Sequence, residues 1–361
     1  MANHLTLNIV TPIPFSNLNR DDTGTPKRIN QGGVLRALHS SQAIKRGIRK
    51  RYEDVSLDIS VRSGELDAAI TERVLSLHPD ADEKEVQKHA KKLVGNLTKG
   101  SEREGEPSRS AWLSAEEINT AAHTVLNIVA PDVTSESGET GDFITGTKTG
   151  SLAIAAFGRM FANSPQNNTE AALSVSPAVT THAASIDTDY FSTVDDRHEA
   201  DNRTGATFLG VSQYTSGVFY RTVTIDKRQL RESWSAFANE DSRENLTELI
   251  RSIIYGQPRG REHGTAPYVL PSLVLAEEQR YRTAYDFETP VIASGNGGYL
   301  APTIDALAEQ YARSRSFDAK NFGPTEALAG TYDQLDGKFG SLRPVQLDDL
   351  IGSVVEWIYD D

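Results

Sequence analysis

Polar and apolar residues alternate through His4–Val10 (HLTLNIV), placing Leu5, Leu7 and Ile9 on one face and predicting a strand. The polar stretch that follows holds Pro12, Pro14, Asn17, Gly24, Pro26, Gly32 and Gly33, which break regular structure and predict a long connection. Ser40 and Ser41 then offer hydroxyl caps for a helix from Gln42 to about Glu53, and VSLDI (Val55–Ile59) predicts a second strand. From Glu65 to Leu97 the spacing turns helical, with Leu66, Ile70, Val74, Val86, Leu93 and Leu97 on the apolar side. A Gly/Ser/Glu-rich break at Lys99–Ser110 separates this stretch from a helix over Ala115–Val129, and the Thr, Ser and Gly of residues 131–150 predict a loop. The apolar run SLAIAAFGRMF (Ser151–Phe161) predicts a buried strand. Residues 175–215 are rich in turn-formers, after which Val211–Asp226 has strand character. Helices are predicted at Lys227–Ala238, Arg243–Ile254, Ala301–Ala312 and Gln346–Trp357, with a strand at Pro267–Glu277. The summed pattern is α+β: a sheet flanked by helices, with an early helical insertion and a loop or hairpin insertion in the middle.

With 361 residues, the chain has room for one large domain or a few modules, and 38% hydrophobic with 24% charged residues fits a folded globular protein. Met1–Val10 has neither a basic n-region nor an apolar h-region, no apolar run approaches a membrane span, and a cytoplasmic protein with no membrane role is expected. Cysteine is absent, which excludes disulfides, thiolate catalysis and cysteine-bound metal.

Candidate enzyme motifs are thin. GNGGYL (Gly295–Leu300) precedes a helix but lacks the Lys-Ser/Thr pair of a phosphate-binding loop, so a plain turn is expected. No two of the eight histidines stand at the i, i+4 spacing of a helical zinc site, and His198-Glu199 is followed at the second ligand position by Asn202. Asp195-Asp196 fits either a solvated loop or a Mg²⁺ site for RNA cleavage. No metal, cofactor or catalytic residue is assigned.

Charge distribution changes the picture. The net charge of −13 argues against a nucleic-acid partner, but Arg20, Lys27, Arg28, Arg36, Lys45, Arg46, Arg49, Lys50 and Arg51 are opposed over that stretch only by Asp21 and Asp22. In SSQAIKRGIRK (Ser40–Lys50), Ile44 and Ile48 share an inward face, while Gln42, Lys45, Arg46, Arg49 and Lys50 cover the outer arc. With the Ser40 and Ser41 hydroxyls and the free N–H groups of the helix start, this suits a phosphate backbone read without regard to base. The same spacing suits an exposed helix with no ligand.

Six blocks in order resemble the CasC family, the backbone subunits of type I-E CRISPR Cascade. They are LNRDD (Leu18–Asp22), the basic turn Lys27-Arg28, SSQAIKRGIRK (Ser40–Lys50), FGRMFA (Phe157–Ala162), TTHAASIDTDYFSTVDD (Thr180–Asp196) and TSGVFYR (Thr215–Arg221). The match is closest up to about residue 225 and looser beyond it.

The resemblance implies an RRM-like (ferredoxin-like) palm from residues 1–59, 174–183 and 219–361, helical fingers over 60–173 and a β-hairpin thumb over 184–218. It implies a non-enzymatic subunit that polymerises along crRNA, pre-orders the guide for pairing with a target DNA strand, and contacts other copies of itself. The further partners it implies are the large, small, 5′-end-capping and crRNA-processing Cascade subunits. The matching guide-contacting positions are Lys27, Ser40, Gln42, Lys45, Arg46 and Arg49, with Arg20 in support. Met160 matches a position that packs against guide nucleotides; buried core is the alternative. Tyr190, Phe191 and Leu209 match thumb positions at a displaced nucleotide; hairpin core packing is the alternative. Where some relatives place lysines near duplex DNA, the 131–150 loop has only Lys148, and Lys88, Lys91, Lys92 and Lys99 stand near Glu83, Glu85 and Glu102. The competing implication is a Mg²⁺-dependent RNA-cleaving subunit using Asp195 or Asp196.

Overall fold

The computed structural model of the chain describes residues 2–56, 58–97, 110–131, 143–144, 146–193 and 208–360. It divides into two units, residues 1–48, 175–224 and 250–361 in one, and residues 49–174 with 225–249 in the other. The class is α+β, as the hydrophobic pattern predicts.

The first unit is organised by one sheet in the order Phe322–Ala329, Leu273–Gln279, His4–Ser16, Phe208–Asp226, Ala178–Thr180, Val34–His39 and Arg28–Gln31. The N-terminal strand runs on to Ser16, past the expected end at Val10. Its antiparallel register with Leu273–Gln279 closes at Val10↔Leu273, and the Val10 carbonyl accepts from Ser272 N–H. Pro12 and Pro14 share the parity of Val10, so their missing N–H groups face an edge where the ladder has already ended, and the chain stays extended at no cost in ladder bonds. Leu5, Leu7 and Ile9 share one face, as predicted, and are fully buried, but Thr6, Asn8 and Val10 on the other face are equally buried. Val10, Leu275 and Leu328 pack with Ile304, Leu307 and Tyr311 of the helix Leu300–Phe317.

Other differences have local causes. The expected polar connection holds a hairpin: Gln31 pairs with Val34 around Gly32 and Gly33, both with positive φ (61° and 75°), the two-residue turn that matches strand twist. The strand expected from Pro267 begins at Leu273, just after Pro271. Phe322–Ala329, which alternates weakly, becomes an edge strand that the pattern did not predict. Arg36 is no part of a basic surface; its guanidinium is buried and bonded to the backbone carbonyls of Gln31, Thr180, Phe287 and Glu288.

In the second unit, the helices Leu66–Leu77, Glu83–Gly95 and Ala115–Val129 close around Leu66, Ile70, Val74, Val86, Ala121 and Val125. The predicted Val55–Ile59 strand does not form among the described residues. The basic helix continues to Val55, and the strand is Ser60–Ser63, paired with Ala111–Ser114. Asp58 points inward and accepts from Tyr52 Oη (3.1 Å), Leu152 N (2.7 Å) and Ala153 N (3.3 Å). That carboxylate and the Ser151 hydroxyl cap a helix, Leu152–Phe157, where a buried strand was expected. Periodicity does not separate a short buried helix from a buried strand, and here the capping groups decide. Gly158, at φ 74°, ends it. The helix predicted at Lys227–Ala238 stops at Ser233 and resumes as a 3₁₀ turn. The breaks near 99–109 and 132–142 lie outside the described residues. Among the described residues no helix is long and apolar enough to cross a membrane.

Gly47, inside the basic helix, lies where an added Cβ would fall well within contact of the Gln257 carbonyl oxygen. Glycine to alanine ordinarily stabilises a helix by about 1 kcal/mol. Gly47→Ala is expected to do the opposite and destabilise the chain by roughly 1–3 kcal/mol through overpacking against backbone, read from denaturant midpoints.

Candidate nucleic-acid interface

Cations on a helix form a binding surface only if the rotation of the helix is fixed and the charges are not consumed by ion pairs. In the helix Ser41–Val55 the rotation is set by Ile44 and Ile48, both fully buried, with Ile48 against Gly256 and Gly47 against Gln257. Gln42 and Arg46 are exposed on the other side and Lys45 is half-buried. Lys45 and Arg46 form no ion pair with any described residue.

The helix start is tied to a second basic segment. Ser40 Oγ accepts weakly from Ala43 N (3.4 Å), and Ser40 N donates to Asn19 Oδ1 (2.7 Å). Asn19 also accepts from Lys27 N through its own carbonyl (2.8 Å), and the Lys27 carbonyl accepts from Leu38 N (2.8 Å). The loop is closed by a bridge between Arg20 and Pro26. Asp21 faces into this loop, where Oδ1 accepts from Thr23 N, Thr25 N and the Thr23 hydroxyl. Those bonds, the Thr23 hydroxyl first, hold its carboxyl below the usual range. The acid is therefore engaged within its own turn, while Arg20 is exposed and Lys27 half-buried. Asn19 thus docks the Arg20–Lys27 loop on the Ser40 end of the helix, a role the sequence pattern did not reveal.

His39, next in the chain to Ser40, adds no charge. It is buried and stacked on Phe219 (4.5 Å), and burial, with the nearby Arg221 cation, pushes its pKa down to about 3.

The hairpin strand Asp187–Thr193 pairs antiparallel with Phe208–Asp226, with Tyr190 opposite Val211 and Ser192 opposite Leu209. Tyr190, Leu209 and Val211 therefore share a face, and all three are exposed (74%, 73% and 58%). Phe191 points to the opposite face, its ring over Gly210, and is 42% exposed. Core packing would have hidden these side chains; the hairpin presents them. Its stem is held by Thr25 Oγ1 donating to Gln213 Oε1 (2.7 Å) and by Phe15 stacked on Tyr214 (4.3 Å).

Two expected positions belong to the second unit. Arg49 is engaged rather than free: Nη1 bonds both Glu53 oxygens (3.0 and 3.1 Å) and the guanidinium lies over Trp112. Lys50 also pairs with Glu53 (3.2 Å). The evenly cationic arc expected from spacing is interrupted because Glu53 stands at i+4 and i+3 to the two cations. Met160 is 75% exposed, which rules out buried core. Its neighbour Arg159 is buried on Glu117 (2.6 Å) and backbone-paired with Thr169. Lys88 pairs with Glu85. Asp195 and Asp196 lie outside the described residues, and among the described residues no group of three or more His, Asp or Glu side chains could hold a metal ion.

The sequence profile of the family described as CT1975-like protein matches residues 5–357. No curated protein matches the sequence. The fold is similar to a chain in a structure described as "CRISPR RNA-guided surveillance complex, pre-nicking" (TM-score 0.80, 23% identity, covering 98% of this chain and 100% of that one). It is also similar to a chain in another described as "CRISPR RNA-guided surveillance complex" (TM-score 0.71, 21% identity, covering 98% and 99%).

Two outcomes follow from the anchoring groups. Asn19→Ala removes the acceptor for Ser40 N and is expected to cost roughly 1 kcal/mol. It should also speed amide exchange at Ser40–Ala43, measured by mass spectrometry. The depressed His39 pKa contributes stability that is complete above the unfolded value near 6.5 and is lost as pH falls toward about 3. His39→Phe should accordingly flatten the decline of melting temperature between about pH 6.5 and 4.

Proposed function

The chain belongs to the CT1975-like protein family, and from that premise we propose that it is a guide-RNA-binding backbone subunit of a type I-E CRISPR surveillance complex. The observation that carries this reading is the outward face of Gln42, Lys45 and Arg46, rotationally locked and free of ion pairs with any described residue, with the Arg20–Lys27 loop docked on its serine-capped start. Such a surface offers charge and hydrogen-bond donors to phosphates, which are the same at every base, so it takes RNA irrespective of sequence. Base pairing by the guide then reads the target DNA strand. Holding the guide extended before the target arrives lowers the ordering entropy of pairing.

The exposed Tyr190, Phe191 and Leu209 fit the other half of the mechanism. Apolar and aromatic side chains displayed on a hairpin can wedge against bases and hold one out of the stack, at a cost of a few kcal/mol offset by stacking on the protein. Exposed Met160 supplies a further apolar contact, and Arg49, held by Glu53 over the Trp112 ring, contacts the guide with the donors that remain. The proposed division is a palm over 1–59, 174–183 and 219–361, fingers over 60–173 and a thumb over 184–218. Copies stack along one crRNA and contact the large, small, 5′-end-capping and crRNA-processing subunits. The subunit itself breaks no bond. The acidic remainder of the chain, which holds the net charge at −13, repels nucleic acid from other faces.

Binding of single-stranded RNA by the full chain should weaken with salt and vary little with base sequence. Lys45→Ala with Arg46→Ala is expected to make the log–log salt slope shallower by about 1.4, two phosphate contacts, at unchanged melting temperature. An unchanged slope contradicts the reading. So does cleavage of the RNA in Mg²⁺ that stops with Asp195→Ala or Asp196→Ala.

A further inference from the structure

The loop between the helix Ser242–Tyr255 and the strand Leu273–Gln279 contains two non-glycine residues at positive φ, Arg261 and Ala266. Arg261 sits at φ 49°, ψ 25°, the left-handed region that a long L side chain rarely occupies. Glycine would rest there without strain. A strained non-glycine residue persists where its surroundings over-determine it, and such positions gather at binding sites.

The surroundings are specific. Gly260 N donates to the Leu18 carbonyl (3.0 Å), and a Cβ on Gly260 would fall inside contact of that oxygen, so the loop lies directly against the start of the Leu18–Lys27 segment. Glu262, buried, accepts from Arg259 Nε (2.8 Å). The Arg261 side chain is exposed, and Nη1 donates to Ser212 Oγ (3.1 Å) on the hairpin stem. That is its only hydrogen bond to a described residue, so most of the guanidinium fork has no partner among the described residues. Ser212 shares its strand face with Gly210, the residue covered by the Phe191 ring. Arg261 therefore stands at the root of the Phe191 face, beside the loop that carries Arg20 and Lys27.

We propose that Arg261 is a phosphate-binding residue for the same RNA, gripping the backbone next to the nucleotide that the hairpin displaces. The inference rests on the RNA-binding reading above. The phosphates flanking a nucleotide turned out of its stack stay charged and exposed, and an anchored guanidinium with spare donors in a planar fork can neutralise and orient them. Bonding to Ser212 fixes the fork without consuming it.

The test measures binding of the full-length chain to a fluorescein-labelled single-stranded RNA of mixed sequence, over a range of salt concentrations, alongside melting temperatures. Arg261→Gly relieves the backbone strain and removes the cation. It should melt no lower than the parent, yet bind roughly tenfold more weakly and with a slope shallower by about 0.7. Arg261→Gln, which can still hydrogen-bond to Ser212, should show the same loss of slope. A residue that merely braced the stem would leave the slope untouched. If both variants keep the parent slope while Lys45→Ala with Arg46→Ala loses it, the proposal falls and the RNA-binding reading stands. If the parent chain binds no RNA, both fall together.

Discussion

Everything at the candidate interface depends on how one helix is rotated. Between Ser41 and Ile48 the inward face has no room to turn: Ile44 and Ile48 are fully buried, and Gly47 meets the backbone at Gln257 too closely for any side chain. That backbone is itself held from within. Arg221, buried to the point that its guanidinium pKa falls to about 10, donates to the carbonyls of Ile253, Ile254 and Gly256. A buried arginine thus fixes the segment against which the glycine packs, and the glycine fixes the angle at which Lys45 and Arg46 leave the surface. The chain of causes runs from a desolvated cation to two solvated ones.

The same contrast sorts the polar groups of the whole first unit. Arg36 spends its donors on four backbone carbonyls. Glu277, fully buried, is satisfied by Asn8, Tyr285 and Arg315. Among the described residues no side chain makes such a claim on Arg20, Lys27, Lys45 or Arg46. A stretch of sequence rich in cations therefore contains both kinds, and only the geometry of their partners separates a structural charge from one available to a ligand.

This explains what could be read in advance. Long periodic segments were legible: the strand from His4, the helix after Ser40, the helical spacing of Glu65–Leu97 (though not its division after Leu77), the helix Ala115–Val129, and the inward pair Ile44 and Ile48. Elements whose identity is set by remote partners were not. Val55–Ile59 reads as a strand, but Asp58 is turned inward to cap a helix almost a hundred residues away, and the apolar run it caps reads equally as strand. Gly32-Gly33 reads as a break because two glycines look alike whether they end an element or turn a hairpin. For the site, the family resemblance supplied positions that spacing alone left open. The i, i+4 spacing of Arg49 and Glu53 is visible in the sequence, whereas nothing local shows that Asn19 ties the loop to the helix. Arg261 leaves no local signal at all, since its interest lies in a dihedral angle and a bond to the hairpin stem.

The central claim is that the ligand lies across the Lys27–Lys45 side of the first unit. Lysine modification with an amine-reactive reagent, mapped by mass spectrometry on the full chain with and without single-stranded RNA, tests it most directly. The account predicts that RNA slows modification of Lys27 and Lys45 severalfold and leaves Lys338, paired with Asp305, at its free rate. Equal rates at Lys27 and Lys45 in bound and free protein, under conditions where RNA is shown to be bound, would contradict it.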